Sequence, residues 1–119
     1  MSHDIRARVD DLNNGILEGR LLEVFDAYYD DDVVMSENGA HDESRVGKAN
    51  NRAYEEYFVN HAVFHGARVD DVIVDGNKAS VTWWMDIEFD GVRFQRSQVA
   101  VQEWNDAGRI VKETFYYAA

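Results

Sequence analysis

Strict alternation of apolar and polar residues over residues 79–89 is the feature that most limits what this chain can fold into. Every second residue of this stretch is apolar, and the intervening residues are polar except for Trp84. The apolar residues are Ala79, Val81, Trp83, Met85, Ile87 and Phe89. A period of two predicts an antiparallel strand that buries one face. We therefore expect an antiparallel sheet to dominate the fold.

Three turn signals place further strands around this one. They are DGNK at 75–78, DG at 90–91 and NDAG at 105–108. Asp-Gly and related pairs favour the positive φ angles of tight hairpin turns. The C-terminal half is therefore predicted to be a meander of four strands.

The N-terminal half has helical periodicity instead. Ile5, Val9, Leu12 and Ile16 lie on one helical face, and Gly19 is placed to end that helix. A second helix is predicted from Leu21 to about Tyr29, where the acidic residues 30–32 break the pattern. A short strand at 33–35 and a loop over SENGAHDESRVG follow. A third helix is predicted from about Gly47, on the spacing of Ala49, Ala53 and Tyr57 together with Tyr54, Phe58 and His61.

Composition narrows the class of protein. The 119 residues suit a single domain, 1–119, and the formal net charge of -11 disfavours nucleic acids and anionic membranes as partners. No apolar run approaches the roughly 20 residues that cross a bilayer, and no leader is recognisable, so a cytoplasmic location is expected. The chain has no cysteine, which excludes thiol nucleophiles and thiolate metal sites.

The order of these elements resembles the nuclear transport factor 2-like superfamily, which includes SnoaL-like polyketide cyclases and ketosteroid isomerase. The resemblance spans nearly the whole chain and rests on YYDDDVVMSENG, VGKANNRAYEEYF and EWNDAGRIVKETFYY. It implies an α+β fold of the cystatin-like α+β barrel type. In that fold a cone-shaped, curved antiparallel sheet wraps around three N-terminal helices and encloses a pocket.

Hairpin register predicts which strand residues face the pocket. A two-residue loop at 90–91 pairs Phe89 with Val92, and a loop that pairs Trp104 with Arg109 then places Ala100 opposite Glu113. The predicted concave face carries Trp83, Met85, Ile87, Arg96, Gln98, Gln102, Glu113, Phe115 and Tyr117. Apolar walls with a few polar groups suit a small ligand, although a plain core whose polar ends reach solvent would show the same pattern.

The resemblance and this register together predict the ligand and its contacts. The ligand is expected to be a small hydrophobic molecule that bears a carbonyl group, and Arg96 would favour an anionic or carbonyl-bearing one. The predicted ligand-binding residues are Met35, Tyr54, Phe58, Trp83, Met85, Ile87, Arg96, Gln98, Phe115 and Tyr117. Tyr54 and Tyr117 are the expected hydroxyl donors.

The resemblance also implies a general base. In the isomerase a carboxylate at the end of the strand after the second helix takes the proton, and Glu37 falls on that position; the alternative is an exposed loop carboxylate. The isomerase's two oxyanion donors correspond to Leu12 and Ala100, so steroid isomerisation itself is not expected. Glu113 is a weaker catalytic candidate, expected instead to pair with Arg96 or a loop cation.

Neither a metal nor a cofactor is predicted. His41, His61 and His65 are too irregularly spaced for a metal site, since a helix boundary separates the last two. Two functions remain open: an isomerase, cyclase or dehydratase that uses Glu37 as base, or a non-catalytic module for ligand binding or dimerisation. A homodimer is expected through the outer sheet face formed by Thr82, Trp84, Val99 and Val101.

Overall fold

A computed structural model describes residues 4–118 and shows helices followed by a curved sheet. The helices are α1 (Ile5–Leu17), α2 (Leu21–Tyr28) and α3 (Lys48–His61), with a single 3-10 turn at His41–Glu43. The strands are β1 (Tyr29–Glu37), β2 (Arg45–Val46), β3 (Ala62–Asp75), β4 (Lys78–Phe89), β5 (Val92–Trp104) and β6 (Ile110–Tyr117). The predicted α+β class, with three helices and a C-terminal meander, is confirmed.

The six strands form one sheet in the order β2-β1-β6-β5-β4-β3. Neighbouring strands are antiparallel except β1 and β6, which run parallel. Register shifts in β3, between Phe64 and Gly66 and between Val69 and Asp71, mark bulges, which bend and twist a strand. The bend curves the sheet, and the helices pack on its concave side.

The first two helices form a tight pair over the sheet. Asp4 caps α1 by accepting a hydrogen bond from the Ala7 amide at 3.1 Å, and Gly19 ends it with a φ of +80°. Gly15 lets α2 approach closely, because a Cβ at this position would lie 2.2 Å from Cγ1 of Val24. The buried core joins these helices to the sheet through Val9, Leu12, Val24, Phe25, Tyr29, Val33, Met35, Val81, Trp83, Trp104 and Ile110.

Three local predictions were wrong. The first strand begins at Tyr29, so the aspartates at 30–32 lie inside it; a register irregularity between Tyr29 and Val34 leaves Asp31 and Asp32 exposed. The predicted loop contains β2, which is too short to leave a sequence pattern. The last turn spans five residues, 105–109, and a register shift follows between Glu103 and Trp104, so that Glu113 lies opposite Gln102 instead of Ala100. The error is two residues, and the concave and outer faces are therefore unchanged.

The outer face of the sheet carries several exposed apolar side chains. Ile73, Val101 and Tyr116 are 59%, 40% and 45% exposed. Trp84 lies on the same face, half-buried beneath the Arg68 guanidinium, whose Cζ is 4.4 Å from the ring centroid. Within residues 4–118, no helix is both long and apolar enough to cross a membrane.

Candidate functional site

A cavity of about 580 Å³ lies between the helices and the concave face of the sheet. Its walls are largely apolar and include Leu12, Ile16, Phe25, Phe58, Trp83, Met85, Ile87, Phe89 and Phe115. Its polar lining includes Tyr29, Glu37, Arg45, Tyr54, Glu55, Arg96, Gln98, Gln102, Glu113 and Tyr117. The volume falls within the range of pockets that bind small organic molecules.

All of the predicted ligand-binding residues line this cavity except Met35. Met35 is 1% exposed and belongs to the hydrophobic core. It lies in the middle of β1, between its strand neighbours Arg45 and Glu113, and core side chains cover it. Including Met35 among the ligand-binding residues was therefore wrong.

Glu37 is the last residue of β1 and lines the cavity. Asn38 fixes its position, because the amide of Asn38 donates to the Phe115 carbonyl at 2.7 Å and its side-chain oxygen accepts from the Tyr117 amide at 2.8 Å. Oε2 of Glu37 accepts from Arg45 at 3.1 Å, and Oε1 accepts from the Tyr117 hydroxyl at 3.3 Å. Both carboxylate oxygens of Glu37 therefore already have donors.

Arg45 connects Glu37 to the start of α3. Its Nε donates to the side-chain oxygen of Asn51 at 3.2 Å, and its Cζ lies 3.9 Å from the centroid of the Tyr54 ring. The Asn51 amide donates in turn to the carbonyls of Arg45 and Gly47, at 3.0 and 2.8 Å. Asn51 is fully buried, so this network orients both Arg45 and the first turn of α3.

Glu113 lies at the buried end of a chain of hydrogen bonds. Trp104 donates to Oε1 of Gln102 at 3.2 Å, which turns the Gln102 amide so that Nε2 donates to Glu113 at 2.8 Å. The Tyr29 hydroxyl donates to the other oxygen of Glu113. The expected partners, Arg96 or a loop cation, were wrong, because the shift in hairpin register brings Gln102 opposite Glu113.

Burial raises the pKa of Glu113 to about 7, even though the hydrogen bonds from Tyr29 and Gln102 act in the opposite direction. The side chain is 2% exposed, so its negative charge is poorly solvated. Burial also raises the pKa of Tyr29 well above its usual value, and the charge of Glu113 adds to this effect. Near neutral pH this pair therefore holds an exchangeable proton beside the cavity.

Glu55 is a cavity residue that the sequence analysis missed. It lies on α3 one turn after Asn51 and one turn before Phe58, so these three residues share the inward face of the helix. Ala49, Ala53 and Tyr57, whose spacing predicted the helix, are exposed instead. One sequence signal could have identified Glu55. It lies three residues before Phe58, on the same face of a predicted helix that has few apolar residues on any face.

Burial raises the pKa of Glu55 to about 7, and the nearby charge of Glu113 adds to the shift. Glu55 remains partly accessible because it faces the cavity, yet protein surrounds it closely enough to disfavour its charged form. Among residues 4–118, no group donates a hydrogen bond to its carboxylate. Of the cavity carboxyl groups, Glu55 therefore differs from Glu37 and Glu113 in having free acceptor positions.

Tyr54 and Tyr117 line the polar part of the cavity together with Tyr29. Burial raises the pKa of both Tyr54 and Tyr117, and the charge of Glu37 adds to the shift while that of Arg96 opposes it. Both hydroxyls are therefore protonated at neutral pH and can donate. Leu12 and Ala100 also line the cavity and are buried, so no donor stands at either position.

His61 and His65 lie apart from each other. His61 ends α3 and stacks on Tyr57, whereas His65 lies in β3 at the cavity wall and contacts Glu88 at 3.3 Å. The side chain of His41 lies outside the described part of the structure. Within the described part, no three His, Asp or Glu side chains are grouped to hold a metal ion.

Comparison with known proteins identifies relatives of this architecture. A family model for the SnoaL-like domain matches residues 2–117. A candidate SnoaL-like polyketide cyclase from Mesorhizobium loti superposes with a TM-score of 0.85 and 21% identity, covering 97% of this chain and 100% of that one. An LEH-like epoxide hydrolase from M. tuberculosis has a TM-score of 0.76 and 20% identity, over 96% of this chain and 82% of its own.

A third similar structure carries the cystatin-like fold. This protein of unknown function from Xanthomonas campestris has a TM-score of 0.80 and 18% identity, covering 100% of this chain and 92% of that one. The predicted cystatin-like architecture is therefore confirmed. No curated protein matches the chain. At these identities, the structural likeness establishes the fold alone.

Proposed function

The chain belongs to the SnoaL-like domain family of the nuclear transport factor 2-like superfamily, and we propose that it catalyses proton transfer on a small apolar ligand bearing a carbonyl group. One observation carries this proposal. Glu55 faces an apolar cavity with a pKa of about 7 and with no hydrogen-bond donor among the described residues. A general base is most effective when its pKa lies near the working pH and its acceptor oxygens are free.

Glu55 takes the proton from the carbon next to the ligand carbonyl, and the electron pair of that C–H bond moves to form an enolate. The hydroxyl of Tyr54 supplies a donor to the enolate oxygen, because it hydrogen-bonds to no other group within residues 4–118. Return of the proton from Glu55 to the same carbon regenerates the ligand. In a ligand whose enolate is conjugated with a carbon–carbon double bond, return to the far carbon of that system completes an isomerisation. The apolar walls exclude water from the enolate and from the neutral Glu55 carboxyl group that this step forms.

Glu113 and Glu37 have supporting roles in this proposal. Glu113 raises the pKa of Glu55 further, beyond the effect of burial, through its nearby charge. Glu37 positions Arg45 and Tyr117, because each of its carboxylate oxygens accepts a hydrogen bond from one of these side chains. The base predicted from the sequence was Glu37, and the free oxygens of Glu55 are the reason for preferring Glu55.

A non-catalytic ligand-binding module is the second candidate function. The observation that favours it is the pair of apolar residues Leu12 and Ala100 at the positions where the resembled isomerase carries its oxyanion donors. Removal of those donors would cost such an isomerase about 3 kcal/mol or more in the transition state. Such a module would bind apolar ketones without catalysing exchange of their protons.

Deuterium exchange distinguishes the two functions without knowledge of the natural substrate. 2-Tetralone, an apolar bicyclic ketone, is incubated with the protein in deuterium oxide, and incorporation beside the carbonyl is followed by NMR. We expect the wild-type protein to accelerate exchange, and Glu55→Gln to lower the catalysed rate about 100-fold or more while 2-tetralone still binds.

Glu56→Gln is the matched control, because Glu56 is the next residue of α3 and forms an exposed ion pair with Arg52. It should retain the wild-type exchange rate. If Glu37→Gln abolishes exchange and Glu55→Gln does not, the base is Glu37. If 2-tetralone binds and the wild-type protein catalyses no exchange, the binding module is the better description.

A further inference from the structure

Arg96 is a cation on the concave face whose charge no carboxylate of the described chain neutralises. It lies in β5 and lines the cavity, with its guanidinium stacked on two aromatic rings. Its Cζ is 4.8 Å from the ring centroid of Phe94 and 4.1 Å from that of Tyr117. Stacking on two rings restrains the guanidinium. The Arg96 side chain therefore loses less conformational entropy when a ligand binds to it.

Most other arginines of this acidic chain have acidic partners. Ion pairs with Asp or Glu are formed by Arg6, Arg20, Arg45, Arg52, Arg68 and Arg93. Within residues 4–118, Arg96 forms no ion pair and donates no hydrogen bond. The chain has 23 acidic residues, so Arg96 lacks an ion-pair partner because of its position and not because acidic residues are scarce.

A half-buried guanidinium with unused donors favours an anionic ligand. Arginine cannot shed its charge by losing a proton, and its interaction with an anion is stronger in a cavity than in water. Its planar array of N–H groups matches the two oxygens of a carboxylate. A dianionic phosphate fits less well, because Glu37, Glu55 and Glu113 line the same cavity and, among the described lining residues, Arg96 is the one cation without an ion pair.

From this geometry we infer that Arg96 binds a carboxylate on the ligand, so that the ligand is an apolar carbonyl compound that also carries a carboxylic acid. This inference rests on the proposed function for its carbonyl group and for the cavity as the binding site. Arg96 lies close enough to Tyr54 and Tyr117 that its charge opposes the rise in pKa that burial causes in both phenols. The carboxylate site and the proposed enolate donor therefore belong to one region of the cavity.

The test compares an acid with its own ester. The probes are 2-naphthoate and methyl 2-naphthoate, which share an apolar bicyclic body and differ in charge, and binding to the full chain is measured by NMR titration. We expect the wild-type protein to bind the acid more tightly than the ester. In Arg96→Met, affinity for the acid should fall about tenfold or more, and affinity for the ester should stay within about twofold.

Arg68→Met is the matched control, since Arg68 also stacks on an aromatic ring but lies on the outer face of the sheet. It should leave both affinities unchanged. Thermal unfolding of Arg96→Met checks that the variant is folded, and ester binding provides a second check in the same experiment.

The outcomes separate this inference from the proposed function. If the ester binds and the acid binds no better, or if the preference for the acid survives Arg96→Met, the carboxylate site is refuted and the cavity remains a site for neutral carbonyl compounds. If neither probe binds the wild-type protein, the proposed binding of apolar carbonyl compounds fails, and this inference fails with it.

Discussion

Replacing Glu113 by glutamine should stabilise the protein in a way that depends on pH. Burial raises the pKa of Glu113 from its ordinary value of 4.5 to about 7 in the folded chain. Between these two pH values the unfolded chain loses this proton while the folded chain keeps it. The free energy of unfolding therefore falls as pH rises through this window and levels off above about 7.

The magnitude follows from the two pKa values. At about 1.4 kcal/mol for each pKa unit, the interval from 4.5 to about 7 corresponds to about 3 kcal/mol of stability lost at Glu113 by pH 8. Glutamine resembles the protonated acid, because its carbonyl oxygen can accept from Gln102 and its amide can donate to the Tyr29 oxygen. Glu113→Gln should therefore gain up to about 3 kcal/mol relative to wild type at pH 8 and much less at pH 5.

Urea denaturation of both proteins at intervals from pH 5 to 8 measures this difference. Other ionisable groups are present in both proteins, so their contributions largely cancel. Removing the charge of Glu113 also eases the ionisation of Glu55, whose pKa is raised by burial and then by Glu113, and this effect has the same sign. A difference in unfolding free energy that stays constant from pH 5 to 8 would refute the assignment of a raised pKa to Glu113.

Three further predictions concern catalysis, packing and assembly. The exchange of 2-tetralone protons should rise with pH and level off above about 7, because Glu55 must be ionised to accept a proton; a rate independent of pH from 5 to 8 would contradict this role. Gly15→Ala should lower the free energy of unfolding by about 1–3 kcal/mol in urea denaturation, since the new Cβ would lie 2.2 Å from Cγ1 of Val24; Val24→Ala in the same chain should recover part of the loss, and equal stability of Gly15→Ala and wild type would count against the close packing. We also propose a homodimer through the outer face, which Trp84→Glu should dissociate into folded monomers; sedimentation of the wild-type chain as a monomer at micromolar concentration would exclude it.

Local patterns in the sequence were sufficient for the architecture. A period of two across 79–89, bounded by Asp-Gly turns, predicts an antiparallel strand. Successive side chains of a strand point to opposite faces, and a strand with one apolar and one polar face is typical of antiparallel sheets. The positive φ angles of Asp90 and Gly91 agree with the tight hairpin turn predicted there. The register error between β5 and β6 was two residues, an even number, so Glu113, Phe115 and Tyr117 still lie on the predicted concave face.

The third helix shows where local patterns failed. Periodicity located α3 correctly, but the spacing that predicted the helix includes the exposed Ala49, Ala53 and Tyr57. It did not indicate that the structure buries Asn51 and directs Glu55 toward the cavity. A helix that covers a cavity does not need an apolar inner face. Sequence periodicity assumes that it does.

The sequence by itself determined the three helices, the four strands of the meander, their order and the face to which each central strand residue points, because these follow from interactions between residues close in the chain. Only the tertiary structure decided which polar groups meet. Glu113 lies beside Tyr29, 84 residues away, and Glu37 beside Arg45 and Tyr117. Raised pKa values at Glu55 and Glu113 arise from burial, and burial depends on how the helices close over the sheet, a property that no single segment of the chain contains.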